Sequence, residues 1–366
     1  MLLVTGIKEL SMSNRLPIVD LRSDTVTKPT PEMRQAMAEA EVGDDVYQED
    51  PTITRLQELA ARTLGFEASL FVPTGTMGNQ VALAVHGKPG EEVICDSESH
   101  IIHYEMGAMA ALSGLLPRVL PAERVFPTAD QVKNAFQPDI SYLARTGVVS
   151  LENSHNRGGG AVMPLALQKE IQEVSREKGV PIHLDGARIF NAAAALGVTA
   201  RQVAEGFDSV MFCISKGLGA PVGSLLCGSQ GFIGEARRVR KRFGGGMRQV
   251  GVLAAAGILA ISKMTNRLTE DHGNARLLAE GLAENPGITI PVMPETNILI
   301  FEVDSRWFGS ATPDDGNCAA AFVRHLGKHG VLALALDAKK VRLVTHFDLP
   351  KDAVERTLKA VKRIKD

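Results

Sequence analysis

Short apolar segments alternate with amphipathic ones along the first two thirds of this chain, and this alternation strongly constrains the fold. Six apolar runs are short, rich in Val, Ile and Leu, and bounded by turn residues: Ser69–Val72, Glu92–Cys95, Gly147–Leu151, Pro181–Leu184, Ser209–Ile214 and Gly223–Cys227. Such runs are typical of strands buried on both faces of a parallel sheet. Because helical segments separate several of them, the pattern predicts an α/β layered domain with a largely parallel sheet.

Helices are indicated by apolar spacing and by terminal residues. Four are predicted in this first region: Thr30–Glu41, Pro51–Leu64, Met77–His86 and Leu165–Lys178. Thr30 is a suitable N-cap before Pro31, and Gly65 ends the second helix.

The pattern changes after Val250 and predicts a smaller α+β domain. An alanine-rich helix is expected from about Gly251 into Asn274–Glu284. Three strands and two helices follow: Asn297–Val303, Val331–Ala335, Val341–Thr345, Cys318–His329 and Lys351–Ile364. We therefore divide the chain into an extension (1–17), a large domain (18–270) and a small C-terminal domain (271–366).

Charge and composition exclude several functional classes. The 366 residues carry 40 basic and 42 acidic side chains, a net charge of −2 that argues against a nucleic-acid binder. The longest apolar stretch, Val250–Ile261, is shorter than the ~20 residues that a membrane span requires. No signal peptide is evident, and the four cysteines form no CxxC pair, so we expect a cytoplasmic protein.

The segment FVPTGTMGN (Phe71–Asn79) runs from a strand through a turn into a helix. Free N–H groups at a helix N-terminus attract anions, and Gly75 lets a ligand approach the backbone. The spacing matches neither GxxxxGK[ST] nor GxGxxG, so it indicates a phosphate and not a nucleotide. An ordinary strand-to-helix turn is the alternative interpretation.

Two further segments place reactive side chains where predicted strands end. In IHLDGAR, Asp185 ends a strand and Arg188 follows; the alternative is a capping Asp paired with Arg188. In FCISKGLGAPVGS, Lys216 follows a buried strand, where it is suited to bind an aldehyde cofactor; the alternative is a lysine that extends to the surface.

The three segments together supply what pyridoxal phosphate requires. Its phosphate needs a helix N-terminus, its pyridine nitrogen an acidic partner, and its aldehyde a lysine. His100, which follows a strand in CDSESH, is a candidate for the ring that covers the cofactor, although a lone histidine is more often a surface or core residue. No His, Cys, Asp or Glu cluster has metal-ligand spacing, so no metal is expected.

The sequence resembles the low-specificity L-threonine aldolases, which belong to the aromatic amino acid β-eliminating lyase group. The resemblance extends from Val19 over nearly the whole chain and depends on the runs DLRSDTVTKPT, VGDDVYQEDPT, FVPTGTMGNQ, HLDGARIFNA, MFCISKGLGAPVGS, GGGMRQ and RLVTH. It implies the fold type I (PLP-dependent transferase-like) architecture, with a mostly parallel seven-stranded sheet between helices. It also implies retro-aldol cleavage of L-threonine, L-allo-threonine and related β-hydroxy-α-amino acids to glycine and an aldehyde.

The resemblance assigns roles to residues of this chain. Lys216 would bind the cofactor covalently, Asp185 would meet the pyridine nitrogen, and His100 would stack on the ring. The other cofactor contacts would come from Gly75, Thr76 and Arg188, with Lys241 and Arg248 reaching a neighbouring subunit's phosphate. Within the basic run Arg237–Arg242 we expect Lys241 alone to do so, and most of the run to be a solvated helix face.

The resemblance also implies substrate contacts and an oligomer. Ser23, Arg188 and Arg342 would hold the substrate carboxylate, with Tyr104 and Glu105 nearby. Tyr47 would enter the partner's site, so the active unit would be a homodimer, usually within a tetramer.

One position departs from the family pattern. Family members often read IHFART where this chain reads ISYLART, so Tyr142 replaces a histidine near the substrate hydroxyl. With a usual pKa of about 10, a tyrosine is a poor base at neutral pH. The base would then be His100 or a water near it, and the preference between threonine isomers is open. Racemisation, β-elimination and cofactor binding without turnover are the competing functions.

Overall fold

The computed structural model describes residues 17–121 and 125–362. The predicted extension 1–17 lies outside the described residues except for Pro17, as does the end of the last predicted helix. The strands are Val19–Asp20 (β1), Ala68–Val72 (β2), Glu92–Asp96 (β3), Leu116–Leu120 (β4), Thr146–Glu152 (β5), Ile182–Asp185 (β6), Ser209–Cys213 (β7), Ser224–Gly228 (β8), Ile288–Thr289 (β9), Ile298–Val303 (β10), Val331–Leu332 (β11), Leu334–Ala335 (β12) and Lys340–Val344 (β13).

The α-helices are Pro31–Ala38 (α1), Pro51–Leu64 (α2), Gly75–His86 (α3), His100–His103 (α4), Ala108–Ser113 (α5), Ala129–Ala135 (α6), Leu165–Lys178 (α7), Ile189–Leu196 (α8), Ala200–Ala204 (α9), Gln230–Arg242 (α10), Gly251–Leu259 (α11), Leu268–Ala283 (α12), Ser305–Phe308 (α13), Cys318–Lys328 (α14) and Ala353–Lys362 (α15). Short 3-10 turns cover Asp24–Val26, Thr265–Arg267 and Gly309–Ala311. None of the described helices combines the length and the apolar character that a bilayer span requires.

The central sheet has seven strands in the order β2-β8-β7-β6-β5-β3-β4. All its neighbours pair in parallel except β8, which is antiparallel to both β2 and β7. The six predicted strands are confirmed to within about two residues. The seventh, β4, was not predicted; it lies at the edge, and most of its side chains are exposed.

Helices cover both faces of this sheet, and successive strand residues serve opposite faces. Phe71 and Phe212 belong to the large core beneath α2, α8 and α11. Their neighbours Leu70 and Met211 face α3 and α10 in a second core. This three-layer arrangement confirms the predicted α/β class and the mostly parallel sheet.

The second sheet, of order β12-β13-β10-β9, is antiparallel and packs against α12, α14 and α15. Its core also contains Val19 and Leu21, because β1 pairs in parallel with β11. The N-terminal segment thus contacts the C-terminal part of the chain before it enters the first domain. The predicted boundary at residue 270 falls inside α12 and stays a prediction.

Two predicted elements are divided in the structure. The alanine-rich helix is interrupted by a π-helical segment at Ala260–Met264 and a 3-10 turn before α12 begins. The predicted strand Val331–Ala335 is two short strands, since β11 pairs with β1 while β12 pairs with β13.

Candidate active site

The carboxyl ends of the parallel strands meet at one edge of the central sheet. His100 follows β3, Asp185 ends β6, and Lys216 lies three residues beyond β7. Ligands of open α/β sheets bind outside this edge, because the loops that leave the strands diverge there. The structure therefore brings together three residues that are far apart in sequence.

Helix α3 begins at the same edge and offers an anion-binding end. The Thr74 hydroxyl accepts a hydrogen bond from the Met77 amide at 3.1 Å and caps the helix. The amides of Gly75 and Thr76 lie in the first turn, where helical N–H groups lack intrahelical partners. A Cβ on Gly75 would lie 2.9 Å from Cys213 Sγ, so a side chain here would push the helix away from β7.

Asp185 is held in a fixed orientation. One carboxylate oxygen accepts the Ala187 amide at 3.0 Å, and the other accepts Asn79 Nδ2 at 2.7 Å. The side chain is only 3% exposed. A buried acceptor fixed in this way is suited to face a protonated ring nitrogen.

His100 is fixed by two carboxylates. Its Nδ1 donates to Glu105 at 2.8 Å, and its backbone amide donates to Glu152 at 2.7 Å. Burial alone favours the neutral ring, but the hydrogen bond to Glu105 and the charge of Asp185 raise the pKa of His100 above its usual value. Glu105 is buried and contacts His100 directly, so its carboxylate lies in the interior of the site.

Arg188 pairs with Asp24, and not with Asp185 as in the alternative interpretation. Its Nε and Nη2 donate to the two oxygens of Asp24 at 2.7 and 2.6 Å, with both side chains buried. Burial alone would raise the pKa of Asp24, but the guanidinium of Arg188 and the ammonium of Lys216 hold it far below its usual range. Lys216 is half-buried, and its charge acts on Asp24, which favours a site residue over a lysine that extends to the surface.

Arg342 approaches Arg188 from the second sheet. Its Nη1 donates to Asn156 at 3.1 Å, while its buried Nε has no hydrogen-bond partner among the described residues. Burial and the charge of Arg188 lower the pKa of Arg342. Two guanidiniums at one place, one with an unused donor, fit a carboxylate ligand. Ser23 lies next to Asp24, and its hydroxyl accepts from Thr25 at the start of a 3-10 turn.

Four predicted site residues have exposed side chains that no hydrogen bond or ion pair joins to this cluster within the described chain: Tyr47, Tyr142, Lys241 and Arg248. Tyr47 is 70% and Tyr142 81% exposed. Arg248 donates to Asp44 at 3.0 Å, on the turn that carries Tyr47. Tyr104 is partly exposed beside His100, and its hydroxyl accepts from Arg157 at 3.2 Å.

Within Arg237–Arg242, which the sequence predicts to be mostly solvated, Arg240 is buried. This side chain is buried and donates to Asp45 at 2.6 Å and to the Phe71 carbonyl at 2.8 Å. Its partner lies on a distant turn, so the local charge pattern could not reveal the contact.

The structure also contains a cluster of potential metal ligands that the spacing of these residues in the sequence does not show. Single ligand atoms of His100, Glu105 and Asp185 lie within 4.8 Å of one another. The Asn79 amide bridges the two carboxylates, so hydrogen bonds already connect them.

Comparisons with known proteins agree with this geometry. The β-eliminating lyase family model matches residues 20–306. The chain is 43% identical to the low specificity L-threonine aldolase of Escherichia coli K12 over 337 residues, which are 92% of this chain and 96% of that one. It is 41% identical over 347 residues to low-specificity L-threonine aldolase 1 of Arabidopsis thaliana, covering 93% and 94% of the two chains. The chain belongs to the β-eliminating lyase/threonine aldolase family.

Solved structures of this family share the fold. The threonine aldolase of Leishmania major superposes with a TM-score of 0.80 at 19% identity, over 95% of this chain and all (100%) of that one. A putative aromatic amino acid β-eliminating lyase/threonine aldolase of Exiguobacterium gives 0.77 at 21% identity, over 94% and 97%. The family's fold type I architecture is thus confirmed for this chain.

Proposed function

We propose that this protein is a pyridoxal phosphate-dependent aldolase that cleaves L-threonine and L-allo-threonine to glycine and acetaldehyde. The observation that carries the proposal is the convergence of Lys216, Asp185 and His100 at one sheet edge, beside the N-terminus of α3. It is supported by the relatives, whose names state this activity.

The residues present fit this cofactor. Asp185 offers a fixed, buried carboxylate to the pyridine nitrogen, and Lys216 offers an amine at the end of β7. The first turn of α3, with Gly75 and Thr76, would bind the phosphate. When bound, the cofactor accepts the electron pair released at the substrate Cα.

The chain's own residues would orient the substrate and move its protons. Arg342 and Arg188 would bind the substrate carboxylate, with Ser23 beside them, and thereby decide which Cα bond is aligned for cleavage. Because Glu105 accepts from His100 Nδ1, the Nε2 of a neutral His100 is left as an acceptor. We assign removal of the β-hydroxyl proton to this nitrogen or to a water that it holds.

We further propose that two subunits share each site in a homodimer, and that two such dimers form a tetramer. The exposed Tyr47 would enter a partner's site, and Tyr142 would lie near the substrate hydroxyl. Lys241 and Arg248, also exposed, would reach a partner's phosphate. A cytoplasmic location is proposed from the four cysteines, which are all free and buried.

The test begins with the purified protein supplied with pyridoxal phosphate. We expect visible absorbance of a lysine-bound cofactor, and glycine with acetaldehyde from both threonine isomers. D-alanine from L-alanine, or ammonia with an oxo-acid, would move the function to racemisation or β-elimination.

Lys216→Ala is expected to abolish the covalent attachment, because Lys216 supplies the amine at the end of β7. Borohydride reduction followed by mass spectrometry measures the attached cofactor, and Lys263→Ala, at an exposed lysine paired with Glu32, is the control. Cofactor still attached in the Lys216→Ala protein would refute the assignment.

A further inference from the structure

A chain of buried polar side chains leads from the far end of α3 to Asp185. His86 Nε2 lies 2.7 Å from Ser209 Oγ, which lies 2.8 Å from His183 Nδ1. His183 Nε2 lies 3.2 Å from Asn79 Oδ1, and Asn79 Nδ2 contacts Asp185 at 2.7 Å. Three of the linking residues are completely buried: Asn79, His183 and Ser209.

The chemistry of the end groups determines the direction of every bond. Asn79 Nδ2 faces two acceptors, the carboxylates of Asp185 and Glu105, so its two hydrogens are used there. Its carbonyl oxygen must then accept from His183, which requires a hydrogen on Nε2. A neutral His183 with Nε2–H leaves Nδ1 as an acceptor, so the Ser209 hydroxyl donates to it and accepts from His86.

The neutral state of both rings follows from their surroundings. Burial and the neighbouring His86 lower the pKa of His183 to about 3, against the opposing charge of Asp185. Burial lowers the pKa of His86 to about 4. Each of the four residues thus donates a hydrogen bond to the next one, and Asn79, the last of them, donates to the carboxylates.

We propose that His86, Ser209, His183 and Asn79 form a positioning network that directs both amide hydrogens of Asn79 at Asp185 and Glu105. The network holds the Asp185 carboxylate in the orientation that would face the cofactor's ring nitrogen, and it fixes Glu105 against His100. One amide thereby positions the Asp185 carboxylate and, through Glu105, the His100 imidazole, both of which would contact the cofactor. This inference rests on the proposed function for the identity of the bound group.

Ser209 is the sensitive link because its hydroxyl supports the His183 tautomer that the Asn79 oxygen requires. Without the hydroxyl, His183 is free to move its hydrogen to Nδ1, and its Nε2 then faces the Asn79 oxygen with no hydrogen between them. The Asn79 oxygen would then lose its donor, and the amide that directs its hydrogens at the two carboxylates would be held less firmly. A change in a residue that does not touch Asp185 is therefore expected to weaken cofactor binding.

The first test compares Ser209→Ala with Ser69→Ala. Both serines are buried on strands of the central sheet, but the Ser69 hydroxyl donates to the Gln57 carbonyl and has no link to Asp185. Equilibrium dialysis is expected to give a pyridoxal phosphate dissociation constant about 2- to 10-fold higher for Ser209→Ala, and unchanged for Ser69→Ala. Asn79→Ala, which removes a bond to a charged group, is expected to raise it about 10- to 100-fold. Equal constants for wild type and Ser209→Ala would overturn the proposal.

The second test reads the tautomer in the unaltered, cofactor-free protein. Nitrogen NMR of ¹⁵N-histidine-labelled protein should show His183 protonated on Nε2 alone between pH 8 and 5, with its signal identified by its loss in His183→Gln. A hydrogen on Nδ1, or a doubly protonated ring, would overturn the network even if the protein folds and binds its cofactor. Failure of the wild-type protein to bind pyridoxal phosphate would instead defeat the proposed function and leave the NMR result standing.

Discussion

Arg188 and Asp24 show how a single contact joins two distant parts of the site. Asp24 precedes the central sheet in sequence, whereas Arg188 follows β6, and the pair is almost completely buried. Both charges need the partner, because an unpaired charge in this interior is costly.

We expect Asp24→Asn to destabilise the protein by about 3–5 kcal/mol at pH 7, because Arg188 is left buried without a counter-charge. The folded pKa of Asp24 is depressed, so its contribution is present above the unfolded pKa of about 4 and is lost as the pH falls through the folded value. Denaturant unfolding at a series of pH values measures the difference between wild type and variant.

Asp139→Asn is the matched control, since Asp139 pairs with Arg145 at the exposed surface. It should leave the stability nearly unchanged. A difference for Asp24→Asn that is absent at pH 7, or that grows as the pH falls below 4, would contradict the assignment of the buried pair.

His100 gives a prediction for the pH dependence of the reaction. Its pKa is raised because, against the effect of burial, Glu105 accepts its Nδ1–H and Asp185 adds negative charge. A base must be neutral, so kcat/KM should rise with pH through a pKa above the usual 6.5. Glu105→Gln removes one stabilising charge, so this acid limb should move to lower pH. An unmoved limb in that variant would assign the base elsewhere; Glu58→Gln, at an exposed helix position, is the control.

Site residues can be predicted from the sequence where they directly follow a recognisable strand. They cannot be predicted where only contacts made in the folded chain bring them to the site. Lys216, Asp185 and His100 follow recognisable strands in the sequence. Asn79 and Glu152 serve these residues through space, and nothing local distinguishes them from other polar side chains. Arg188 was recognised, but its partner Asp24 was not, because the two meet only after the chain has folded.

At the scale of elements, side chains of α10 hold the turn at residues 44–48 in place. Arg240 donates to Asp45, Arg237 also contacts it at 3.4 Å, and the turn presents Tyr47 to solvent. Helix α10 therefore stabilises a surface turn. The many basic residues of the helix do not by themselves indicate this role.

Replacing either Arg240 or Asp45 alone should lower the free energy of unfolding more than replacing both. We expect Arg240→Leu to destabilise the protein by about 3 kcal/mol, because buried Asp45 keeps only the longer contact to Arg237 at 3.4 Å. The double variant Arg240→Leu/Asp45→Leu should recover much of this loss. Urea unfolding measures both; a single variant as stable as the wild type, or a double variant less stable than the single, would contradict the buried-pair interpretation.

Predictions of elements succeeded where spacing and end signals agree. Helices α2 and α7 have the predicted bounds, each ended by a glycine with positive φ. Strand β4 was not predicted because Pro117 and Arg118 interrupt its apolar pattern. In the structure it lies at the sheet edge, where Arg118 forms an ion pair with Glu92 of β3. The π-helical segment Ala260–Met264 was not predicted because its residues fit a regular α-helix equally well.

At the scale of the whole molecule, the proposed sharing of sites predicts complementation between subunits. Lys216→Ala and Tyr47→Phe each remove one component, but the two components would belong to different chains of one site. Co-expression of two differently tagged variants, followed by purification of the mixed oligomer, should restore part of the aldol cleavage that both parents lack. A mixed oligomer as inactive as its parents, or a fully active monomer, would contradict shared sites.

The pairing of β1 with β11 has a consequence for how the protein is made. Val19 pairs with Val331, so an early segment of the chain completes its hydrogen bonds only with one of the last. Contacts between such distant residues form slowly, because a very long loop must close first. During synthesis, the large domain is expected to fold while this segment and the adjoining Asp24 still lack their final support. Assembly of the substrate-carboxylate site would then be a late event, completed when the C-terminal strands leave the ribosome.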